Sequence, residues 1–369
     1  MSQPQDTLLV STRKGLFVLH RAGERWQVDG THFLGDKVTL AHVDVRDGAW
    51  YAAMDLGHFG CKLHRSNARG RNWTEIAVPT YGPDDSVPVG DGKPELPATL
   101  KLIWAMASGG ANEPGRLWLG SNPGGLFRSD DHGANWTLMR DLWNRPERKG
   151  WFGGGYDAPG IHSICVDPRD ARTLRIAISC GGVWRSDDSG DTWRLSAHGM
   201  RADYMPPDLA FDQNIQDPHQ MVQCVAAPDT LWVQHHNGIF HSTDGAASWR
   251  EITDVAPSGF GFAIAVHPHD PNRAWFAPAI KDQFRIPVDG QLVVTRTRDG
   301  GQDFESLRTG LPQQHAYDLI YRHGLAIDSS GDRLAIGSTT GGLWISEDQG
   351  ESWTALDARL PPVHAVTFA

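Results

Sequence analysis

The chain has 369 residues, with 34 Lys and Arg against 44 Asp and Glu, a net charge of −10. That acidic balance argues against nucleic acid as a partner, and no apolar run reaches the length that would cross a membrane. The four cysteines (Cys61, Cys165, Cys180 and Cys224) show neither disulfide nor zinc-ribbon spacing, and the first fifteen residues lack the basic-then-apolar pattern of a signal peptide, so the expectation is a cytoplasmic protein with free thiols.

Along the chain, one eight-residue stretch recurs. Residues 19–26 read LHRAGERW, 66–73 SNARGRNW, 129–136 SDDHGANW, 186–193 SDDSGDTW, 242–249 STDGAASW, 297–304 TRDGGQDF and 346–353 SEDQGESW. The copies end at 26, 73, 136, 193, 249, 304 and 353, so they repeat every 47 to 63 residues, the period of a propeller or a related repeat array. Alternating segments such as GLFRS (125–129), GVWRS (182–186) and GLWIS (342–346) precede the box. The box then reads as a hairpin turn: its Ser and Asp bond turn backbone, its Gly takes a conformation closed to other residues, and a new strand begins at its Trp, a large apolar group that packs between sheets. The paired carboxylates Asp130-Asp131 and Asp187-Asp188 recur at a turn and do not converge on one site; calcium ligation or catalysis is their alternative reading.

Two further strands precede each box, as in 162–168 with 173–179, 262–268 with 273–277, and 323–328 with 333–337. Each repeat is thus a four-stranded antiparallel unit, and the fold expected is all-β, a seven-bladed β-propeller. The blades fall at 1–30 plus 362–369, 38–78, 99–140, 161–197, 219–253, 260–308 and 322–358. The first repeat lacks its first strand, because residues 7–12 already read as the second. Residues 363–369 are expected to supply it, which removes an open sheet edge.

The box and its period resemble the Asp-box (BNR) repeat of the sialidase-like β-propellers, whose relatives include sialidases, two-propeller xyloglucan hydrolases, sortilin-type receptors and a photosystem assembly factor. A bacterial sialidase-like, or BNR-repeat glycosyl hydrolase, group looks most like the whole chain. The resemblance implies the propeller fold. It says little of activity, since one fold hosts many functions.

The long connections gather on the side away from the boxes and carry the candidate site. Segment 150–162, GWFGGGYDAPGIH, offers Trp151, Tyr156 and Asp157 beside glycines that let backbone approach a ligand; a packed connecting loop is the alternative. Aligned first strands put His162, His323 and His364 at one blade position, with His235 and His236 ending a second strand and His58, His219 and His315 in neighbouring loops. Such imidazoles would bind a divalent transition metal or act as acid and base, or simply bond loop carbonyls. The expected metal ligands are His162, His235, His236, His323 and His364; no organic cofactor is indicated. Asp55, Glu95, Asp157, Asp203, Asp217 and Asp282 supply carboxylates, and Tyr156, Tyr204 and Tyr317 phenols, for glycoside chemistry. Phe284-Arg285-Ile286-Pro287 resembles the sialidase motif whose Arg grips a substrate carboxylate, and Arg285 with Lys281 would hold an anion. The expectation is an enzyme, hydrolase or lyase, acting on a small polar molecule with metal assistance. Asp157, His162, Tyr156 and His58 are its catalytic candidates, and Trp151, Arg285, Lys281, His315 and Asp282 its substrate contacts. A non-enzymatic binding or assembly propeller, with a protein partner, and a metal-free sialidase-like hydrolase are the alternatives.

Overall fold

The computed structural model describes residues 3–88, 95–153 and 156–369. Gly154 and Gly155 of the glycine-rich segment lie outside the described residues, as do parts of the 77–99 connection. The chain forms two compact units, Asp44–Pro218 and Met1–Val43 with His219–Ala369. Among the described residues no helix is long and apolar enough to cross a membrane.

The fold is all-β, that of a seven-bladed β-propeller, with seven four-stranded antiparallel sheets among the described residues. Two lie wholly in the first unit: Leu102–Ser108, Leu117–Asn122, Leu126–Ser129 and Thr137–Leu138, then Ile161–Val166, Leu174–Ile178, Gly182–Ser186 and Arg194–Leu195. Three more run consecutively from Pro218–Gln223 to Arg250–Ile252, from Gly261–Val266 to Glu305–Leu307, and from Leu325–Ile327 to Thr354–Ala355. Another joins Val38–Asp44, Ala49–Asp55, Cys61–Ser66 and Thr74–Ile76. In the remaining sheet Val363–Phe368 pairs antiparallel with Thr7–Thr12, from Leu8 opposite Phe368 to Thr12 opposite Val363. The C-terminal segment thus supplies the strand that the first repeat lacks.

The recurring box folds as a clamped turn. The Ser186 hydroxyl donates to Asp188 Oδ1 at 2.8 Å and accepts the Gly190 N–H at 2.9 Å. Asp188 then accepts the Thr192 N–H at 2.9 Å and the Thr192 hydroxyl at 2.6 Å. The same pattern holds Ser129 with Asp131, Ser242 with Asp244 and Ser346 with Asp348. Where Ala68 replaces the Asp, Ser66 still accepts the Gly70 N–H at 2.9 Å. Two successive residues turn left-handed, Ser189 at φ 63° and Gly190 at φ 84°. A Cβ on Gly190 would lie 3.1 Å from the Trp118 ring of the preceding sheet. Glycine therefore meets two demands there, backbone hand and inter-sheet space.

The strand after six of the seven boxes begins one residue later than the sequence suggests, at Thr74, Thr137, Arg194, Arg250, Glu305 and Thr354, while that of the first begins at Arg25, one residue before Trp26. The box aromatic itself closes the turn. Trp193 Nε1 donates to the Gly190 carbonyl at 2.9 Å, and its backbone N–H donates to Asp141 Oδ2 at 2.9 Å. Its ring is buried in one cluster with Trp118, Met139, Leu142, Ile176 and Trp184. Burying an indole of this size contributes about 4–6 kcal/mol from apolar area alone.

Candidate functional site

Bulges place several of the candidate side chains. Register shifts in the first strands fall between Ile103 and Ala105, between Ile161 and Ser163, and between Gly261 and Ile264, and the Val363–Phe368 pairing shifts at the same end. The extra residue in each is therefore Trp104 or His162, with Phe262 and His364 in the corresponding stretches. A bulge re-aims its side chain and bends the strand. His162 and His364 do hold one equivalent position, second in their strands. His323 does not. It lies in the short 3-10 turn Arg322–Gly324, ahead of the strand Leu325–Ile327. A Cβ on Gly324 would meet the Gly337 carbonyl oxygen at 2.7 Å, so the close backbone approach occurs where the expected alignment put strand.

In the unit Asp44–Pro218, Trp104 gathers two candidates. Tyr156 meets it edge-on at 5.0 Å and His162 at 5.5 Å. Tyr156 is half-exposed, Asp157 beside it is exposed, and His162 is fully buried with Nδ1 2.9 Å from the Ser163 hydroxyl. Trp151, expected to touch substrate, is buried instead. Its Nε1 donates to Asn214 Oδ1 at 2.8 Å and its ring packs edge-on against Trp184 at 5.8 Å. His58 sits in the exposed turn Gly57–Phe59, with its ring 3.9 Å from that of Phe59. Asp217 accepts the Cys180 N–H at 3.1 Å.

The same unit holds a cavity of about 220 Å³ lined by Asp84, Glu95, Trp143, Arg145, Arg148 and Lys149 among others. The Arg148 guanidinium lies 3.5 Å from the Trp143 ring centroid and donates to the Ser86 carbonyl at 2.6 Å. Burial pulls its pKa below the usual arginine value, against the pull of Tyr81 and Glu95. Glu95 accepts a short hydrogen bond from the Ser86 hydroxyl. Of these residues the sequence singled out only Glu95. Arg148 and Trp143 belong to short helical turns at Pro146–Gly150 and Arg140–Trp143 that lack the strand alternation by which positions were read.

In the other unit the candidates centre on Phe262. The Arg285 and Arg322 guanidiniums lie 5.3 and 5.5 Å from its ring centroid, Tyr321 meets it edge-on at 5.1 Å, and His219 stacks on it at 4.4 Å. Arg285 is tied to Asp282 by a short ion pair and by a 3.0 Å bond from Nε to the Asp282 carbonyl. Burial alone would lower its pKa, but Asp282 and Tyr321 together raise it. Lys281 reaches over the Phe284 ring at 5.4 Å. His315 is exposed, in a left-handed turn at φ 52°.

The two adjacent histidines part company. His235 ends its strand fully buried, edge-on to Phe240 at 5.0 Å, and its Nδ1 accepts the Asn237 N–H at 3.4 Å. His236 follows the strand and meets His219 at 5.5 Å and Phe260 at 6.0 Å. His364 donates from Nδ1 to the Val38 carbonyl at 3.1 Å. Arg322 is the residue here that the sequence did not single out, whereas His219 was counted among the loop histidines and lies in a strand. The signal for His219 was its place one residue into its first strand, as for His162 and His364.

No family model matches the chain. In sequence it is 24% identical over 277 residues, 68% of its length, to a probable oligoxyloglucan-reducing end-specific xyloglucanase of Neosartorya fischeri, of which it covers 31%. A crystal structure of a GH74 xyloglucanase from Xanthomonas campestris superposes with a TM-score of 0.66 at 18% identity, over 96% of this chain and 53% of that one. YCF48 bound to D1 peptide superposes at 0.53 and 12% identity, over 96% and 84%. The chain thus spans about a third of the curated relative and half of the solved enzyme. Within the wider group that the box suggested, the measured resemblance runs to xyloglucan hydrolases and not specifically to sialidases: this chain is similar to the xyloglucanases in sequence and has the β-propeller fold.

Proposed function

We propose that this protein is a glycoside hydrolase acting on a polar oligosaccharide. The observation that carries the proposal is the match to a xyloglucanase across two thirds of the chain. The local geometry that supports it is Tyr156, half-exposed against Trp104, next to the exposed carboxylate of Asp157. An aromatic wall beside a carboxylate suits a sugar: the ring receives the apolar face of a pyranose, and the carboxyl group exchanges a proton with the glycosidic oxygen. Asp157 takes that role here, and Tyr156 orients the sugar. Metal-assisted hydrolysis or elimination belongs to the same reading as its second form.

The test is incubation of the purified protein with xyloglucan oligosaccharides and a panel of aryl glycosides, including sialosides, with reducing ends measured. Cleavage is expected, and Asp157→Asn should lower kcat by about 100-fold or more with KM little changed. No cleavage of any glycan overturns the hydrolase reading. Cleavage that survives Asp157→Asn moves the chemistry to another carboxylate.

A binding or assembly propeller is the second reading. It is favoured by the loop residues Tyr204, Leu209 and Phe211, exposed large apolar groups close together in sequence of the kind that marks interaction sites. A stoichiometric protein partner, lost on Phe211→Ser, would favour it.

A further inference from the structure

We infer that His219 and His236 form a binding site for a divalent transition-metal ion. The ligand atoms of the two histidines lie within 4.8 Å of each other. Two nitrogens bound to one ion at 2.0–2.1 Å stand roughly 3.4 Å apart in tetrahedral geometry, so modest ring rotation closes the site.

The tautomer of His219 carries the argument further. Its Nδ1 lies 2.6 Å from the Gly261 carbonyl oxygen. A carbonyl only accepts, so Nδ1 bears the hydrogen and Nε2 the lone pair. Metal-ligating histidines characteristically donate their other N–H in this way, which fixes the ring and makes the ligand nitrogen more basic. The ring is further held by the Phe262 face at 4.4 Å and 14° and by the Phe260 edge at 5.7 Å and 90°. His219 is 1% exposed, while His236 is partly exposed and stands 75° to it. One side of the site is rigid and dry, the other open to an entering ion. Imidazole nitrogens suit Zn²⁺, Cu²⁺, Ni²⁺ or Fe²⁺, and are poor donors for Ca²⁺ or Mg²⁺, which prefer oxygen. Two protein nitrogens leave coordination positions for water or a substrate oxygen.

Chelator-treated protein should be titrated calorimetrically with Zn²⁺, and with Co²⁺ followed by visible absorption. One ion per chain is expected, with the d–d band of a nitrogen-ligated cobalt. His236→Gln is the informative variant, because His236 is not locked in the core, and it should weaken binding at least tenfold and lose the band. His219→Ala should do the same, with circular dichroism confirming that it folds, and His20→Ala, at an exposed position, should bind as the parent does. The absence of stoichiometric binding, or a folded His236→Gln variant that binds Zn²⁺ unchanged, overturns the site. Neither readout involves glycan cleavage, so the hydrolase proposal stands or falls separately.

Discussion

The backbone N–H of Ala246 donates to the Ser242 hydroxyl at 3.0 Å while Ala246 is held at φ 70°. In the other Ser boxes a glycine makes that bond: Gly70, Gly133, Gly190 and Gly350. The glycine of the fifth box, Gly245, comes one residue early, so a buried alanine carries the left-handed turn. A left-handed non-glycine residue costs about 1–2 kcal/mol, partly offset by the greater freedom of glycine in the unfolded chain. Ala246→Gly should therefore stabilise the protein by about 0.5–1 kcal/mol. Urea denaturation checks this, and a destabilised variant would show that the methyl group's packing outweighs the strain.

Removing the box carboxylate should do the opposite. Asp188→Ala leaves the Thr192 N–H without its acceptor and should cost about 1–2 kcal/mol, seen as a fall in Tm. The same carboxylates set an acid limit. Asp131 is held below the usual carboxylate range, first by the Asn135 side chain. For Asp188, Asp244 and Asp348 burial alone would raise the pKa, and hydrogen bonds from the turn together outweigh it. A carboxyl group with a lowered folded pKa stabilises fully above its unfolded value near 3.9, and that contribution is lost as pH falls through the folded value. The wild-type protein should lose stability steeply below about pH 4, and Asp188→Ala less steeply.

His241 acts at milder pH. It stacks on Trp232 at 4.0 Å, is 7% exposed, and its Nε2 is buried without a hydrogen-bond partner in the structure. Burial, then Arg250, brings its pKa down to about 4. Unfolded imidazole titrates near 6.5. Between the two values the unfolded chain binds more protons, so stability rises with pH: it is complete above about 6.5 and drains away as pH falls toward 4. The effect is on the order of 3 kcal/mol. His241→Gln should flatten the difference in urea midpoint between pH 7.5 and pH 5. His267, also lowered chiefly by burial, should leave a smaller residual slope.

What the sequence revealed follows from the range of the forces involved. The box turns were legible because Ser, Asp, Gly and Trp act within eight residues, and their period counted the sheets. The Val363–Phe368 strand was legible as a missing element. Strand starts were misread by one residue because the box aromatic ends a turn, as Trp193 does with the Gly190 carbonyl. The site was less legible. Nothing in the His235-His236 dipeptide says which ring faces Phe240 and which faces His219; the end of the strand decides it. Nor does composition reveal that His219 rests on Phe262, more than forty residues away.

The pairing of Thr7–Thr12 with Val363–Phe368 has a consequence for biosynthesis. During translation Thr7–Thr12 emerges some 350 residues ahead of the strand it pairs with. The edge it offers to that strand, with Leu8, Leu9 and Val10 all buried in the finished protein, stays uncovered until then. Such an edge invites wrong pairing, so the nascent chain is most prone to aggregate, and most in need of a chaperone, until Val363–Phe368 has left the ribosome.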